Sequence, residues 1–284
     1  SWKNNIMKEA KELFYDKDFI TKLDDNPYLL CFNNCVVDFK NKTYRKGLPD
    51  DYISKCTNIT YTPLNKILTS SLNRDIIGEI NEFIDSLFPD ETLRKYMWDH
   101  FASCLVGTND NQTFNIYTGS GRNGKSKLVD LMSKALGEYK GTVPITLITQ
   151  KRNSIGSTSS EIVQLMGTRY AVMQEPSKGD IINEGIMKEI TGGDPIQGRA
   201  LFKDTITFVP QFKLVVCTNT LFDIKSNDDG TWRRIRVCDF LSKFLEKPYN
   251  DEDKFPVDLY PYQYKIDKNI DSKFNEWAPI FMSM

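Results

Sequence analysis

The feature that most constrains this chain is one run, Gly119-Ser120-Gly121-Arg122-Asn123-Gly124-Lys125-Ser126, which fits the pattern GxxxxGK(S/T). Residues 113–118 before it favour a strand, and residues 124–137 favour a helix whose apolar side chains share one face. This order places unpaired backbone amides at a helix N-terminus, where phosphate oxygens can reach them. The run therefore predicts a triphosphate-binding loop between a strand and a helix.

The last two residues of the run have distinct expected roles. Lys125 would neutralise the β and γ phosphates, and the Ser126 hydroxyl would bind the Mg²⁺ ion that bridges them. The glycines keep side-chain bulk away from the backbone amides that face the phosphates. The sequence therefore predicts a nucleoside triphosphate site that also binds Mg²⁺.

Length and charge bound the other classes of function. The 284 residues, 40% of them hydrophobic, can bury one large core with appendages. A formal net charge of -1 excludes a globally basic nucleic-acid binder, so DNA contacts must come from local cations or from residues repeated around an oligomer. The sequence has no run of eighteen apolar residues, no initiator Met and no signal peptide, which predicts a fragment of a longer protein outside the membrane.

The six cysteines are expected to be free thiols in a reducing compartment. Cys31 and Cys35 are close enough in sequence to suggest a metal. His100 is the single histidine, however, and no second cysteine pair has zinc-ribbon spacing. The pattern therefore disfavours a metal site there.

Alternating elements predict an α/β fold with a parallel sheet after a mixed, mainly helical opening. Two apolar runs, at 170–173 and 214–217, lack polar alternation, as do strands that are covered on both faces. Asp90 is a plausible N-cap for the second long helix. The expected helices are 3–20, 69–87, 93–106, 124–137 and 182–191, and the expected strands are 29–37, 42–45, 113–118, 169–174 and 212–218. Residues 246–265 are expected to cross the surface, and 274–281 to form an apolar helix interrupted before its partner.

Two polar residues follow apolar strands downstream of the loop. Glu175 is placed to hold Mg²⁺ through water and to polarise the attacking water. Asn219 is placed to hydrogen-bond the γ phosphate and that water. A polar strand exit at Glu175 and a turn at Asn219 are the alternatives that pattern alone leaves open.

Two adjacent arginines follow in Asp229-Gly230-Thr231-Trp232-Arg233-Arg234-Ile235. A planar, permanently charged guanidinium suits a phosphate on a neighbouring subunit, where it would stabilise the transition state. A solvated basic pair is the alternative.

Taken in order, these features resemble the superfamily 3 helicases, most closely the poxvirus-type primase-helicases of nucleocytoplasmic large DNA viruses. The resemblance rests on the loop, on Gln174-Glu175, on the run 187–194, on Asn219 and on Trp232-Arg233-Arg234-Ile235. Residues 32–38 and 49–54 also resemble the segment that joins primase to helicase in that family. The resemblance therefore covers nearly the whole chain.

The resemblance implies an AAA+ type core that forms a hexameric ring, hydrolyses ATP with Mg²⁺ between subunits and pulls single-stranded DNA through its centre. It implies that Glu175 is the acidic catalytic residue and that Asn219 is the sensor. Arg234 is then the expected arginine finger, with Arg233 as the fallback. The implied domains are a collar over 1–108, the core over 109–245 and a truncated C-terminal extension over 246–284.

The resemblance also implies a DNA-contacting hairpin between the acid and the sensor, which points to Arg199 and Lys203. Lys188 could instead serve the nucleotide or a subunit contact. The full-length chain would carry a primase domain and act without a membrane at viral replication sites in the host cell, in the cytoplasm. No carboxylate pair for priming stands out in residues 1–110.

Two rival functions remain compatible with a triphosphate-binding loop. In a nucleotide kinase, Arg233 and Arg234 would act within one subunit. In a nucleotide-dependent switch, the bound state would control a partner surface without turnover. Stimulation by single-stranded DNA separates the first rival from a helicase, and phosphate release above a Lys125→Ala control eliminates the second.

Overall fold

The computed structural model describes residues 2–150, 158–174, 176, 179–221, 224 and 228–284. The helices are α1 (Trp2–Leu13), α2 (Phe19–Lys22), α3 (Leu64–Ile67), α4 (Ser71–Leu87), α5 (Glu91–Ser103), α6 (Lys125–Leu136), α7 (Thr146–Thr149), α8 (Ser160–Val163), α9 (Glu184–Thr191), α10 (Asp229–Trp232) and α11 (Ile270–Phe281). The strands are β1 (Leu29–Cys31), β2 (Val36–Asp38), β3 (Thr43–Arg45), β4 (Phe114–Thr118), β5 (Lys140–Thr142), β6 (Tyr170–Gln174), β7 (Ile196–Arg199), β8 (Thr205–Phe208), β9 (Lys213–Thr218), β10 (Ile235–Asp239), β11 (Lys243–Leu245) and β12 (Gln263–Lys265). Single 3-10 turns lie at Pro49–Asp51 and Gly137–Tyr139.

The centre of the fold is a five-stranded sheet in the order β10-β4-β9-β6-β5. Every neighbouring pair in it is parallel. Crossovers cover both faces of such a sheet, which explains the uninterrupted apolar runs in β6 and β9. The predicted α/β fold with a parallel sheet is confirmed. The order places β4, which leads into the glycine loop, between β9 and β10.

Most predicted core elements are present with ends shifted by one or two residues. Two strands of the sheet, β5 and β10, were not predicted, because β5 has only three residues and β10 contains two charged residues, Arg236 and Asp239, among its five. Both lie at the edges of the sheet. Edge strands bury one side at most, so their sequences carry a weaker signal.

The region before the sheet combines helices with a small antiparallel sheet, β1-β2-β3. Asp90 caps α5 as predicted, since its side chain accepts a hydrogen bond of 2.7 Å from Leu93 N. Ser70 caps α4 in the same way, accepting from Asn73 N at 3.4 Å. By contrast α1 buries none of its residues.

Apolar side chains fill both sides of the central sheet. One cluster joins α4, α5 and α6 to residues 274–282, and the other lies under α9 on the opposite face. The expectation that the final helix lacks a partner is wrong. Helix α11 packs on α4 and α6 and buries Phe274, Trp277, Ala278, Ile280 and Phe281. Burying each large side chain of this kind stabilises the fold by about 1.5–3 kcal/mol.

The expected surface crossing is partly confirmed. Residues 249–254 are exposed, but the segment returns as β12, which pairs with β11 in parallel. Within the described part of the chain, no helix is both long and apolar enough to span a bilayer. The six cysteines, all among the described residues, are free, as predicted. The described residues contain no group of three side chains that could hold a metal ion.

Candidate functional site

The glycine loop follows β4 and ends at the first turn of α6, as its sequence predicts. Four of its residues have positive φ angles: Gly119 (144°), Gly121 (37°), Arg122 (56°) and Gly124 (81°). Residues with a Cβ rarely adopt this region, so the glycines permit a tight loop there. Its amides thereby surround the N-terminus of α6, where anions are stabilised.

Two of these glycines are also required by close packing. A Cβ added to Gly124 would lie 2.3 Å from Leu87 Cδ2, and one added to Gly119 would lie 2.7 Å from Phe240 O. Parts of the chain distant in sequence therefore press on the outer side of the loop. At Gly119 the near atom is a backbone oxygen, so a side chain there would force the loop or residue 240 to shift, and at Gly124 the φ of 81° itself disfavours a side chain.

Lys125 connects the loop to the end of the neighbouring strand β9. Its Nζ donates hydrogen bonds to Thr218 O at 3.0 Å and to Asn219 Oδ1 at 3.0 Å, as well as to Gly119 O. The residue is buried, whereas Ser126 beside it is exposed. Two residues that sequence analysis assigned to one site, Lys125 and Asn219, are therefore in direct contact.

A lysine that sequence analysis missed supports the loop from outside. Lys243, in β11, is buried, and its Nζ donates to Gly121 O at 2.8 Å, to Ser120 Oγ at 2.9 Å and to Ser120 O. Burial, together with the charges of Lys125 and Arg122, lowers the pKa of Lys243. A lysine in a three-residue strand more than one hundred residues downstream carries no motif, so the sequence offered no signal for it.

An open cavity of about 1810 Å³ lies beside the loop. Its walls come from four parts of the chain: the loop with α6, the strand ends at Gln174 and 217–219, helix α4, and residues 244–273. Sites for small molecules typically occupy about 300–1000 Å³. The cavity can therefore hold a nucleoside triphosphate with room to spare.

The predicted acid, Glu175, lies outside the described residues. It follows Gln174, which ends β6, and β6 pairs with the strand that leads to Asn219. The carboxyl ends of parallel neighbours meet at one edge of a sheet. The register of Gln174 opposite Cys217 places the end of β6 at the same edge as the Lys125 contact.

The two arginines after α10 share one acceptor, Gln112. Its Oε1 accepts from Arg233 Nη2 at 2.5 Å and from Arg234 Nη2 at 2.8 Å. Its Nε2 donates to Gly192 O at 2.7 Å, at the end of α9. Arg234 is only 8% exposed and also donates to Gly230 O, whereas Arg233 is exposed. Gln112 was not singled out from the sequence, because a glutamine before a strand is not a motif.

Lys188 pairs with Asp228 within the same chain. Asp228 caps α10 by accepting from Gly230 N at 3.2 Å, and the hydrogen bond from Lys188 lowers the pKa of Asp228. This contact gives Lys188 a role in joining α9 to α10, next to the arginine pair. Lys188 is not among the residues that line the cavity beside the loop, described above.

Strands β7 and β8 form an antiparallel hairpin. It lies in the chain after β6 and before β9, where the resemblance implied a hairpin. Arg199 ends β7, and its Nε donates to Lys203 O at 3.1 Å across the turn. The tip also carries Phe202, which is 92% exposed, and Leu201, which is 62% exposed. Sequence analysis chose the two cations and missed the aromatic residue between them.

Two family models match the chain. The model described as D5 N terminal like matches residues 1–107. The model described as Family of unknown function (DUF5906) matches residues 117–234. The first covers the region before the central sheet, and the second covers the loop, Asn219 and both arginines.

Several viral proteins are similar to the chain. "Putative helicase L207/L206" of Acanthamoeba polyphaga mimivirus is 39% identical over all of this chain and 29% of its own length. "Putative helicase 121R" of Invertebrate iridescent virus 3 is 35% identical over 86% of this chain and 26% of its own length. "Putative primase C962R" of African swine fever virus is 26% identical over 96% of this chain and 28% of its own length. The chain thus spans less than a third of the length of these relatives.

A solved structure of the NrS-1 C-terminal region in its apo form has a similar fold. It superposes with a TM-score of 0.51 at 12% identity, over 80% of this chain and 46% of that chain. At this identity the similarity concerns the fold alone.

Proposed function

We propose that this chain, which belongs to a family of putative helicases of large DNA viruses, is a superfamily 3 motor that hydrolyses ATP to move along single-stranded DNA. The viral relatives named above extend well beyond the matched part. The proposal therefore concerns the motor part of a longer protein, and the primase domain belongs to the remainder.

The observation that carries this proposal is the contact between Lys125 and the end of β9. The Nζ of Lys125 lies 3.0 Å from Asn219 Oδ1. An ammonium in this place neutralises phosphate charge, and an amide beside it can hydrogen-bond the γ phosphate and the attacking water. Both groups would exchange their mutual contact for contacts to phosphate when ATP binds.

The loop fits a nucleotide with Mg²⁺. Its positive φ angles and its position at the N-terminus of α6 suit a triphosphate, and Ser126 is exposed beside Lys125. Bound Mg²⁺ supplies positive charge that offsets the charge developing on the phosphates. Ser126 and Glu175 are the side chains that we assign to it. Glu175 would also orient the attacking water and accept its proton.

We assign the arginine finger to the pair after α10, acting on the nucleotide of a neighbouring subunit in a ring of six. Arg234 keeps this role from the family pattern, and Arg233 is the alternative because its guanidinium is the exposed one of the two. Gln112 would hold both groups in a fixed orientation. A preoriented guanidinium loses less entropy when it meets phosphate.

We assign DNA contact to the hairpin of β7 and β8. Arg199 and Lys203 would contact phosphates without reading sequence, and six copies would multiply their charge. Phe202 adds an exposed aromatic ring at the tip, on which a base can stack. Contacts of this kind suit movement along any sequence, at the replication sites of a virus in the host cytoplasm.

ATP turnover with and without single-stranded DNA tests the motor. We expect turnover that rises with DNA and falls by at least about 100-fold in Lys125→Ala. Turnover without any response to DNA would favour a nucleotide kinase. Phosphate release no higher than in Lys125→Ala would favour a switch.

Mixing two inactive variants tests the shared site. Lys125→Ala subunits and Arg234→Ala subunits should recover partial turnover when combined, because some interfaces then have an intact lysine and an intact arginine. Repeating the mixture with Arg233→Ala identifies which arginine acts. Mixtures that stay inactive with both arginine variants would contradict a site shared between subunits.

A further inference from the structure

The cavity beside the loop extends past the phosphate-binding residues toward residues 244–273. Sequence analysis treated most of this segment as a surface crossing. In the fold, β11 and β12 form one wall of the cavity instead. This wall can therefore contact a part of the ligand other than its phosphates.

Phe244 brings an aromatic ring directly to the loop. Its backbone N donates to Arg122 O at 2.8 Å. Its Cε2 lies 3.2 Å from the point that a Cβ on Gly124 would occupy. The ring is half-buried and lines the cavity. An aromatic side chain thus stands next to the residues that would hold phosphate.

Tyr264 enlarges this aromatic wall. It pairs with Phe244 in the register of β11 and β12, so both side chains point to the same side of the ladder. The ring centroids are 5.8 Å apart, with 29° between the planes, and Tyr264 is also half-buried at the cavity. The two rings pack against each other with nearly parallel planes, and both line the cavity, so a planar ligand there would meet aromatic surface.

Charged groups of both signs line this end of the cavity, and several of them are paired. Lys127 bonds Asp271 at 2.7 Å, Lys273 bonds Glu79 at 3.2 Å, and Arg94 bonds Asp85 at 3.2 Å. Lys273 also bonds Asp267 at 3.2 Å, and positive and negative charges occur in nearly equal numbers at this end. This end of the cavity therefore suits a neutral planar group rather than further phosphate, in contrast to the loop with Lys125 and Lys243.

We propose that the nucleobase of the bound triphosphate stacks against Phe244 and Tyr264. This assignment rests on the proposed ATP site and adds a base-binding part to it. The phosphates lie in the loop, and the neutral end of the nucleotide lies on the aromatic wall, whose strand β11 the loop itself contacts.

A ligand that lacks a base provides the sharpest test. Affinities for ATP and for inorganic tripolyphosphate, both with Mg²⁺, are measured on the same chain by calorimetry. In Tyr264→Ala we expect affinity for ATP to fall about ten-fold, as for loss of one base–aromatic stack, and affinity for tripolyphosphate to stay unchanged. Tyr264→Phe keeps the ring and should retain the ATP affinity of the parent chain.

Tyr44→Ala is the control, because Tyr44 is an exposed tyrosine of β3 outside the cavity. Equal losses of ATP and tripolyphosphate affinity in Tyr264→Ala would overturn the proposal, since Tyr264 would then only support the loop. Unchanged ATP affinity in Tyr264→Ala would overturn it as well.

The same measurements separate this proposal from the proposed ATP site. If the parent chain binds neither ligand, both proposals fail. If it binds both with equal affinity, the loop holds phosphate but the base has no site, and only the present proposal fails.

Discussion

The phosphate loop and the hairpin tip are held in opposite ways. The loop is enclosed by residues from distant parts of the chain, with Leu87 and Phe240 against its glycines and Lys243 on its carbonyl groups. The hairpin tip carries Phe202 at 92% exposure, and its turn is tied by the bond from Arg199 to Lys203 O.

This difference matches what each region has to bind. Phosphates require amides and an ammonium fixed in advance, because groups that are already oriented cost little reorganisation. A strand of varying sequence requires cations and a ring that tolerate any base. We therefore expect substitutions at the loop to change nucleotide binding, and substitutions at the tip to change DNA binding.

The largest expected effect concerns the support beneath the loop. His100 is 4% exposed and packs its ring 6.1 Å from that of Tyr117 in β4, beside Tyr96 and Tyr170. Burial, helped by the charge of Lys213, lowers the pKa of His100 from 6.5 to about 3. Between these values the unfolded chain binds a proton that the folded chain does not, so stability present above pH 6.5 is lost as the pH falls toward 3.

We expect this loss to reach about 1.4 kcal/mol for each pH unit, on top of the acid sensitivity of other groups. Urea unfolding of the parent chain and of His100→Phe between pH 6 and pH 4 measures it as the difference between the two slopes. Parallel slopes would mean that the imidazole is not held neutral, and the loop would then rest on a less rigid support than we describe.

The next effect tests whether the loop depends on its outside support. Lys243→Met removes an ammonium that donates to the loop, and a hydrogen bond from a charged group is worth about 1.5–3 kcal/mol. We expect affinity for ATP and for tripolyphosphate to fall about ten-fold together, with DNA affinity measured without nucleotide unchanged. Lys95→Met, at an exposed position of α5 outside the cavity, is the control. An unchanged affinity for both ligands would show that the loop does not need Lys243 to bind phosphate.

A smaller effect tests how the two regions communicate. Gln112→Leu removes the amide that joins Arg233 and Arg234 to Gly192, four residues before β7. We expect the DNA-stimulated rate of ATP turnover to fall about five-fold, with ATP affinity unchanged, since two bonds to charged groups are lost. Asn111→Leu, at the exposed neighbour, is the control. A fall in ATP affinity instead would place Gln112 with the loop.

The smallest effect concerns the tip. Phe202→Ala should weaken single-stranded DNA binding about five-fold, at the low end for loss of a base stack, without changing ATP affinity. Phe202→Tyr keeps a ring and should bind as the parent does. Leu201→Ala removes a neighbouring exposed apolar side chain that cannot stack. Fluorescence anisotropy with a labelled oligonucleotide measures all three, and equal losses in Phe202→Ala and Leu201→Ala would argue against stacking.

The sequence predicted the parts of the site that depend on local order. The strand, loop and helix around Lys125, the cap at Asp90 and the strand that ends before Asn219 are all present, because each depends on residues close together in the chain. The roles of Lys125, Glu175 and Asn219 in catalysis stay predictions.

Contacts between distant segments escaped prediction. Lys243 and Gln112 form hydrogen bonds with residues more than one hundred positions away in the chain. Neither residue forms a recognisable pattern with its sequence neighbours. The apolar face of α11 was visible in the sequence, but its partners α4 and α6 were not. The edge strand β10 was missed because charged residues, Arg236 and Asp239, interrupt its apolar sequence.

Helix α11 has a practical consequence for anyone who shortens this chain. A version trimmed at residue 245, where the family motifs end, would strip the cover from the helix that begins at Lys125 and from α4. The exposed apolar surface would promote aggregation. Shortened versions should therefore keep residues 246–284, even though no motif lies within them.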